Sequence, residues 1–178
     1  MRWWSFVLFF AFTCFSAQQI EWTESTKLTW NDFRSAVSTS QKTDVAAYAY
    51  CGWKIETELS SDLKQPIVFD IRTYFDPAKS WKDPSKANDY ILNHEQKHFD
   101  IAEIYARKIR KAVAEKIKNS ADYNKYFKTF YAQLTREYKD FQKKYDSETE
   151  HGINTKKQEE FNQVIEKELS QLKEYKKP

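Results

Sequence analysis

The sequence predicts an α+β fold, and two observations carry that expectation. Strand-forming residues concentrate between residues 20 and 82, and nearly everything beyond about Ala87 carries the three- and four-residue apolar spacing of helices. A composition of 40% hydrophobic and 31% charged residues in 178 positions is that of one globular domain with a sizeable core. The expected architecture is a small, mainly antiparallel sheet from the N-terminal half, packed beside one helix and followed by two further long helices.

In chain order, Leu28-Thr29-Trp30 with Asn31-Asp32-Phe33 reads as a short strand running into a turn or a helical turn. Asp44 to Glu58 is rich in aromatic residues with partial alternation, which predicts one strand. Pro66 opens a third candidate, Ile67 to Phe75, which alternates imperfectly as an edge or half-buried strand would, and Pro77 ends it. A loop with Ser80, Trp81 and Pro84 leads to a helix over about Ala87 to Lys118, where Ile91, His94, His98, Ile101, Tyr105 and Ile109 share one face. Asn119-Ser120 breaks it. A second helix, Tyr123 to Tyr145, stacks Phe127, Phe130, Leu134, Tyr138 and Phe141 on one stripe. A last amphipathic helix carries Phe161, Ile165, Leu169 and Leu172.

The first 17 residues have the layout of a signal peptide. Met1-Arg2 is positive, Trp3 to Phe15 is almost wholly apolar, and the run is too short to span a bilayer. The mature domain is therefore expected to be residues 18–178, secreted or held in the periplasm or cell envelope, with no stable membrane span. Lipid attachment at Cys14 is a weaker alternative, because Ala11-Phe12-Thr13 makes a poor lipobox. Removal of the leader leaves Cys51 as a single cysteine, so no internal disulfide is expected and a buried, inert thiol is the favoured reading.

The residues with the most chemical content are Asn93-His94-Glu95-Gln96-Lys97-His98. Two histidines four apart on a helix lie one turn apart on the same face, so both imidazoles can reach one ion. Glu95 stands about 100° round from His94, where it can act as general base on a water beside that ion. Chance placement of three histidines would produce an HExxH match on the order of 0.004 times in such a chain, so coincidence is a poor explanation. The cofactor expected is Zn2+, with His94 and His98 as two ligands and Glu95 as the catalytic residue.

A catalytic zinc needs a third protein ligand. Glu103 and Asp100 are rotated away on a continuous helix, and Asp100 is better suited to a supporting hydrogen bond or a surface position. The favoured third ligand is His151, the only other histidine, lying beside Gly152 at the end of a helix that could return antiparallel to the first. Glu148 is the runner-up, and Asp146 or Glu150 could serve in its place. An oxyanion stabiliser is also expected, with Tyr105 and Tyr145 among 11 tyrosines and no basis in spacing for a choice.

These residues resemble the zincin metallopeptidases. More narrowly, the chain looks like a secreted bacterial family catalogued as a domain of unknown function and predicted to be zinc-dependent proteases. The likeness rests on Leu28 to Phe33, on Phe75-Asp76-Pro77 with Ser80-Trp81, on Leu92 to Glu103, and on Tyr145-Asp146 through Thr149, His151 and Gly152. It implies a zincin-like domain, bound zinc and peptidase activity on a peptide or protein substrate.

Other classes are disfavoured. Only two glycines occur, which leaves no Gly-rich phosphate loop. The formal net charge of +3 is interspersed, and Arg107 to Lys111 reads as the solvated flank of a helix, so no nucleic-acid partner is expected. The competing expectation is a non-catalytic exported binding or structural module, with its histidines buried or holding a structural metal.

Overall fold

The computed structural model describes residues 18–37 and 45–177. The expected leader, residues 1–17 with Cys14, lies outside the described residues. Among those that are described, no helix is long and apolar enough to cross a membrane.

The architecture is α+β: a small antiparallel sheet and three long helices. Helix α1, Asp89–Lys116, is the axis of the molecule. The Asn88 side chain accepts from the Ile91 N–H at its start, Asp89 lies in its first turn and Lys116 in its last, so both ends suit the helix dipole. The sheet and the later helices all pack against α1, and α3 also meets the sheet directly, Tyr138 lying edge-on to Trp53.

That packing alters the expectation of a single buried face. Every residue from Phe99 to Arg107 is buried, including Asp100, Glu103 and Arg107. Burial on this scale requires the charges to be paired. Glu103 accepts from Thr73 Oγ1 at 2.6 Å and from Arg107 Nε at 2.8 Å, and Arg110 Nη1 reaches the same carboxylate at 3.0 Å. Arg107 and Arg110 are thus turned inward, not on a solvated flank. Asp100 is no surface residue either: it accepts from Trp22 Nε1, Gln96 and Lys97.

The three-stranded sheet has the order β1 (Ile20–Glu21), β4 (Phe69–Phe75), β3 (Cys51–Thr57), all antiparallel. Ile71, Thr73 and Phe75 alternate into the core while Arg72 faces outward. The strand expected to be an edge or half-buried one is half-buried, and it is central to the sheet only at one end. β1 covers just Tyr74 and Phe75, Trp22 N–H bonds the Thr73 carbonyl, and Arg110 Nε and Nη2 cap the Ile71 carbonyl.

The single strand expected over 44–58 is split. Ala47–Tyr48 (β2) pairs with Trp81–Lys82 (β5), a segment expected to be loop, while Cys51–Thr57 pairs with β4. The break has a visible cause: the Ala49 N–H donates to the Glu95 carboxylate at 2.7 Å and the Tyr50 N–H to Ser80 Oγ at 2.9 Å. Leu28 to Trp30 forms no strand, because the Leu28 N–H bonds Gln96 Oε1 and Thr29 begins a 3-10 turn over Trp30–Asp32.

After α1 comes a short α2 (Ser120–Asp122), then a π-turn at Tyr123–Phe127, then α3 (Lys128–Thr149). The helix thus begins before Tyr123 and runs past Tyr145. Its early residues Phe127 and Phe130 pack with Ile109, Ile117 and Ile71, and its late residue Tyr145 packs with Ile101 and Ile104. α3 is therefore antiparallel to α1, which returns its C-terminal end to the start of α1. Helix α4 (Thr155–Gln171), capped by the Asn154 side chain, closes the far side with Phe161 and Ile165.

Candidate metal centre

The first turns of α1, the last turns of α3, and the break between β2 and β3 meet at one cavity of about 460 Å³. His94, Glu95 and His98 enter from α1, and Tyr138, Gln142 and Asp146 from α3. Ala47, Ala49 and Cys51 form the strand wall, with His151 at the end of α3.

Three ligand atoms converge there. His98 Nε2 lies 2.8 Å from Asp146 Oδ1, His94 Nε2 lies 3.2 Å from the same oxygen, and the two Nε2 atoms are 3.0 Å apart. A tetrahedral ion with bonds near 2.0–2.1 Å keeps its donors about 3.3 Å apart. The observed separations fall within about 0.5 Å of that value. His94, His98 and Asp146 are the one group of metal-capable side chains found among the described residues.

Both imidazoles are held from behind. His94 Nδ1 faces Gln158 Oε1 at 3.1 Å, and the Gln158 amide is itself oriented by donating to the Tyr145 hydroxyl and to Asn162. His98 Nδ1 faces Gln142 Oε1 at 2.5 Å, and the Gln142 amide donates to the His98 carbonyl. An amide oxygen can only accept, so each Nδ1 carries its proton and each Nε2 faces inward. Two inward nitrogens sharing one carboxylate oxygen suit a bound cation. Gln142 and Gln158 were not apparent from the sequence, although Gln142 does lie one turn before Asp146, a polar interruption beside the aromatic stripe of α3.

The electrostatics agree with this geometry. Burial works against the charged form of His98, but the Asp146 hydrogen bond and charge outweigh it and raise the pKa to about 9. Burial holds His94 below its usual range. Asp146 is half-shielded, which opposes ionisation, yet the two histidines hold it far below the usual carboxylate range. Burial pushes Glu95 up to about 7, against the pull of His98 and the Ala49 N–H.

The remaining expected residues are placed as follows. Glu95 is 3% exposed and lines the cavity, with Oε2 held by Ala49. His151 stands at the mouth with its side chain 46% exposed, its Nδ1 3.6 Å from Asp146 Oδ1, outside the converging group. Glu148 points to Lys144 and Lys157. Glu150 caps α3 in a left-handed conformation. Tyr145 is wholly buried, its ring stacked on His94 at 4.6 Å and its hydroxyl donating to the His94 carbonyl, and Tyr105 packs on Tyr138 and Phe141. Neither tyrosine lines the cavity.

The turn after α3 explains why Asp146 and not His151 joins the group. Glu150, His151 and Gly152 have φ of 53°, 55° and 86°, so the helix stops and the chain swings His151 outward past the triad. Gly152 is needed twice over. Its φ is left-handed, and a Cβ there would stand 2.9 Å from His94 Cβ.

Residues 72–152 match the sequence model of a family described as a bacterial protein of unknown function, DUF922. The matched stretch runs from β4 through α1 and α3 to Gly152, so it contains the whole converging group. It is narrower than the resemblance expected from the sequence, since Leu28 to Phe33 lie outside it. No curated protein and no solved structure matches the chain.

Proposed function

We propose that the protein is a zinc-dependent metallopeptidase acting outside the cytoplasm, with His94, His98 and Asp146 as ligands and Glu95 as general base. The observation that carries this reading is the convergence of two imidazole Nε2 atoms and one carboxylate oxygen beside a buried glutamate in an open cavity. Two histidines and one carboxylate form a donor set of catalytic zinc sites that leaves room for water. It also suits iron, so elemental analysis identifies the ion.

A zinc ion held there supplies a Lewis acid and lowers the pKa of a water towards about 7. The chain's own residues do the rest. Ala49 fixes one Glu95 oxygen and leaves the other to take a proton from the attacking water. The same carboxyl then returns that proton to the leaving amine. Gln142 and Gln158 keep both imidazoles in the orientation that presents Nε2. The apolar wall of Ala47, Ala49, Cys51 and Tyr138 excludes water from one side and receives a substrate side chain.

The test is zinc per chain in purified protein together with hydrolysis of unstructured protein substrates. About one zinc and cleavage abolished by chelator support the reading. Full activity in Glu95→Gln with the fold intact would end it. One zinc without hydrolysis of any peptide would favour the non-catalytic exported module instead.

A further inference from the structure

We propose that His151 is a catalytic residue of this site, donating a hydrogen bond to the substrate carbonyl oxygen as negative charge develops on it. The inference rests on the peptidase reading and assigns a role to the histidine that the converging group leaves out.

Three observations place it. First, His151 lines the same cavity as Glu95, His94, His98 and Asp146, but it enters from a different wall, the turn after α3. Among the described residues its ring makes no hydrogen bond; its nearest charged neighbour is Asp146 Oδ1 at 3.6 Å. A donor beside a reacting centre with no committed partner is available to substrate.

Second, its position is tied to the ligands themselves. The His151 N–H bonds the Asp146 carbonyl at 3.0 Å, the Asn154 N–H bonds the Thr149 carbonyl at 2.8 Å, and Gly152 is seated on the His94 ring. The turn is built from consecutive left-handed residues, two of them not glycine, a conformation that persists only where its surroundings impose it.

Third, two other hydroxyls near the site are committed elsewhere. The Tyr145 hydroxyl lies between the His94 carbonyl and Gln158, and the Tyr138 hydroxyl donates to the Cys51 carbonyl at 3.3 Å. Tyr48, half-exposed on β2, is the one other tyrosine among the described residues lining the cavity, and it serves as the control.

The experiment uses the zinc-loaded protein with His151→Ala, His151→Asn and Tyr48→Phe. Asn tolerates the left-handed backbone, so it separates loss of the ring from a disturbed turn. For each variant the readouts are zinc per chain, thermal midpoint, kcat and KM on a cleaved peptide, and inhibition by a phosphonate analogue of the tetrahedral transition state. Both His151 variants should keep wild-type zinc and lose about 10²–10³-fold in kcat with KM little changed. Phosphonate binding should weaken by a similar factor, and Tyr48→Phe should leave kcat near wild type. Unchanged kcat in His151→Asn overturns the proposal, as does transfer of the loss to Tyr48→Phe. Zinc lost together with activity in folded His151→Asn overturns it in favour of a ligand role. Wild-type protein without zinc or hydrolysis overturns the peptidase reading before any His151 variant is measured.

Discussion

The backbone N–H of Ala49 donates to Glu95 Oε2 at 2.7 Å, and that bond, together with the one from the Tyr50 N–H to Ser80 Oγ, falls where the strand expected over 44–58 is split. One interaction therefore shapes the cavity wall and aims the carboxylate. Glu95→Gln keeps the side-chain shape and an acceptor for Ala49 but removes the base. It should retain zinc and lose about 10²–10⁴-fold in kcat, measured against metal content in the same preparation.

Asp146 and Glu148 lie two residues apart and face different surroundings, the histidines for one and Lys144 and Lys157 for the other. Asp146→Ala should reduce zinc from about one per chain to a small fraction. Glu148→Ala should bind zinc as the wild type does. Elemental analysis after gel filtration checks both, and the reverse result would give the third position to Glu148, the runner-up from the sequence.

Gln142 and Gln158 touch the imidazoles on the side away from the site. Replacing either with leucine removes an acceptor for a buried Nδ1–H while keeping most of the volume. Zinc affinity should fall about 10–100-fold, read by competition with a chelating dye, with helix content unchanged.

Gly152→Ala should destabilise the fold by about 1–3 kcal/mol, since a Cβ meets His94 and the left-handed φ is strained. Chemical denaturation measures it. A neutral result would mean that the turn can yield at no cost.

Burial pushes the Cys51 thiol up to about 12. At pH 8 its thiolate is then roughly a thousandfold scarcer than that of a free cysteine, so alkylation of the folded protein should be slow. The rate should climb with pH towards 12, because deprotonation supplies the reactive form, and should become fast in denaturant. Rapid labelling of native protein at pH 8 would contradict the burial.

The sequence by itself determined the class of fold and the segment that supplies two of the three converging side chains. Helix periodicity over residues 89–116 and the four-residue spacing of His94 and His98 are local properties, set by 3.6 residues per turn. The antiparallel return of α3 was open to the sequence as a possibility, which the short link between the two helical stretches favours. What only the tertiary structure decided were the relations across the chain. Asp146 and His151 are five residues apart, and the sequence favoured His151 and then Glu148 over Asp146, yet a left-handed turn keeps Asp146 beside both imidazoles and swings His151 to the mouth of the cavity. The break at Ala49 was hidden because its cause, Glu95, lies 46 residues away. The burial of Arg107 was hidden because a charged residue is stable in a core only when its partners, here Glu103 and the Leu169 carbonyl, are already in place.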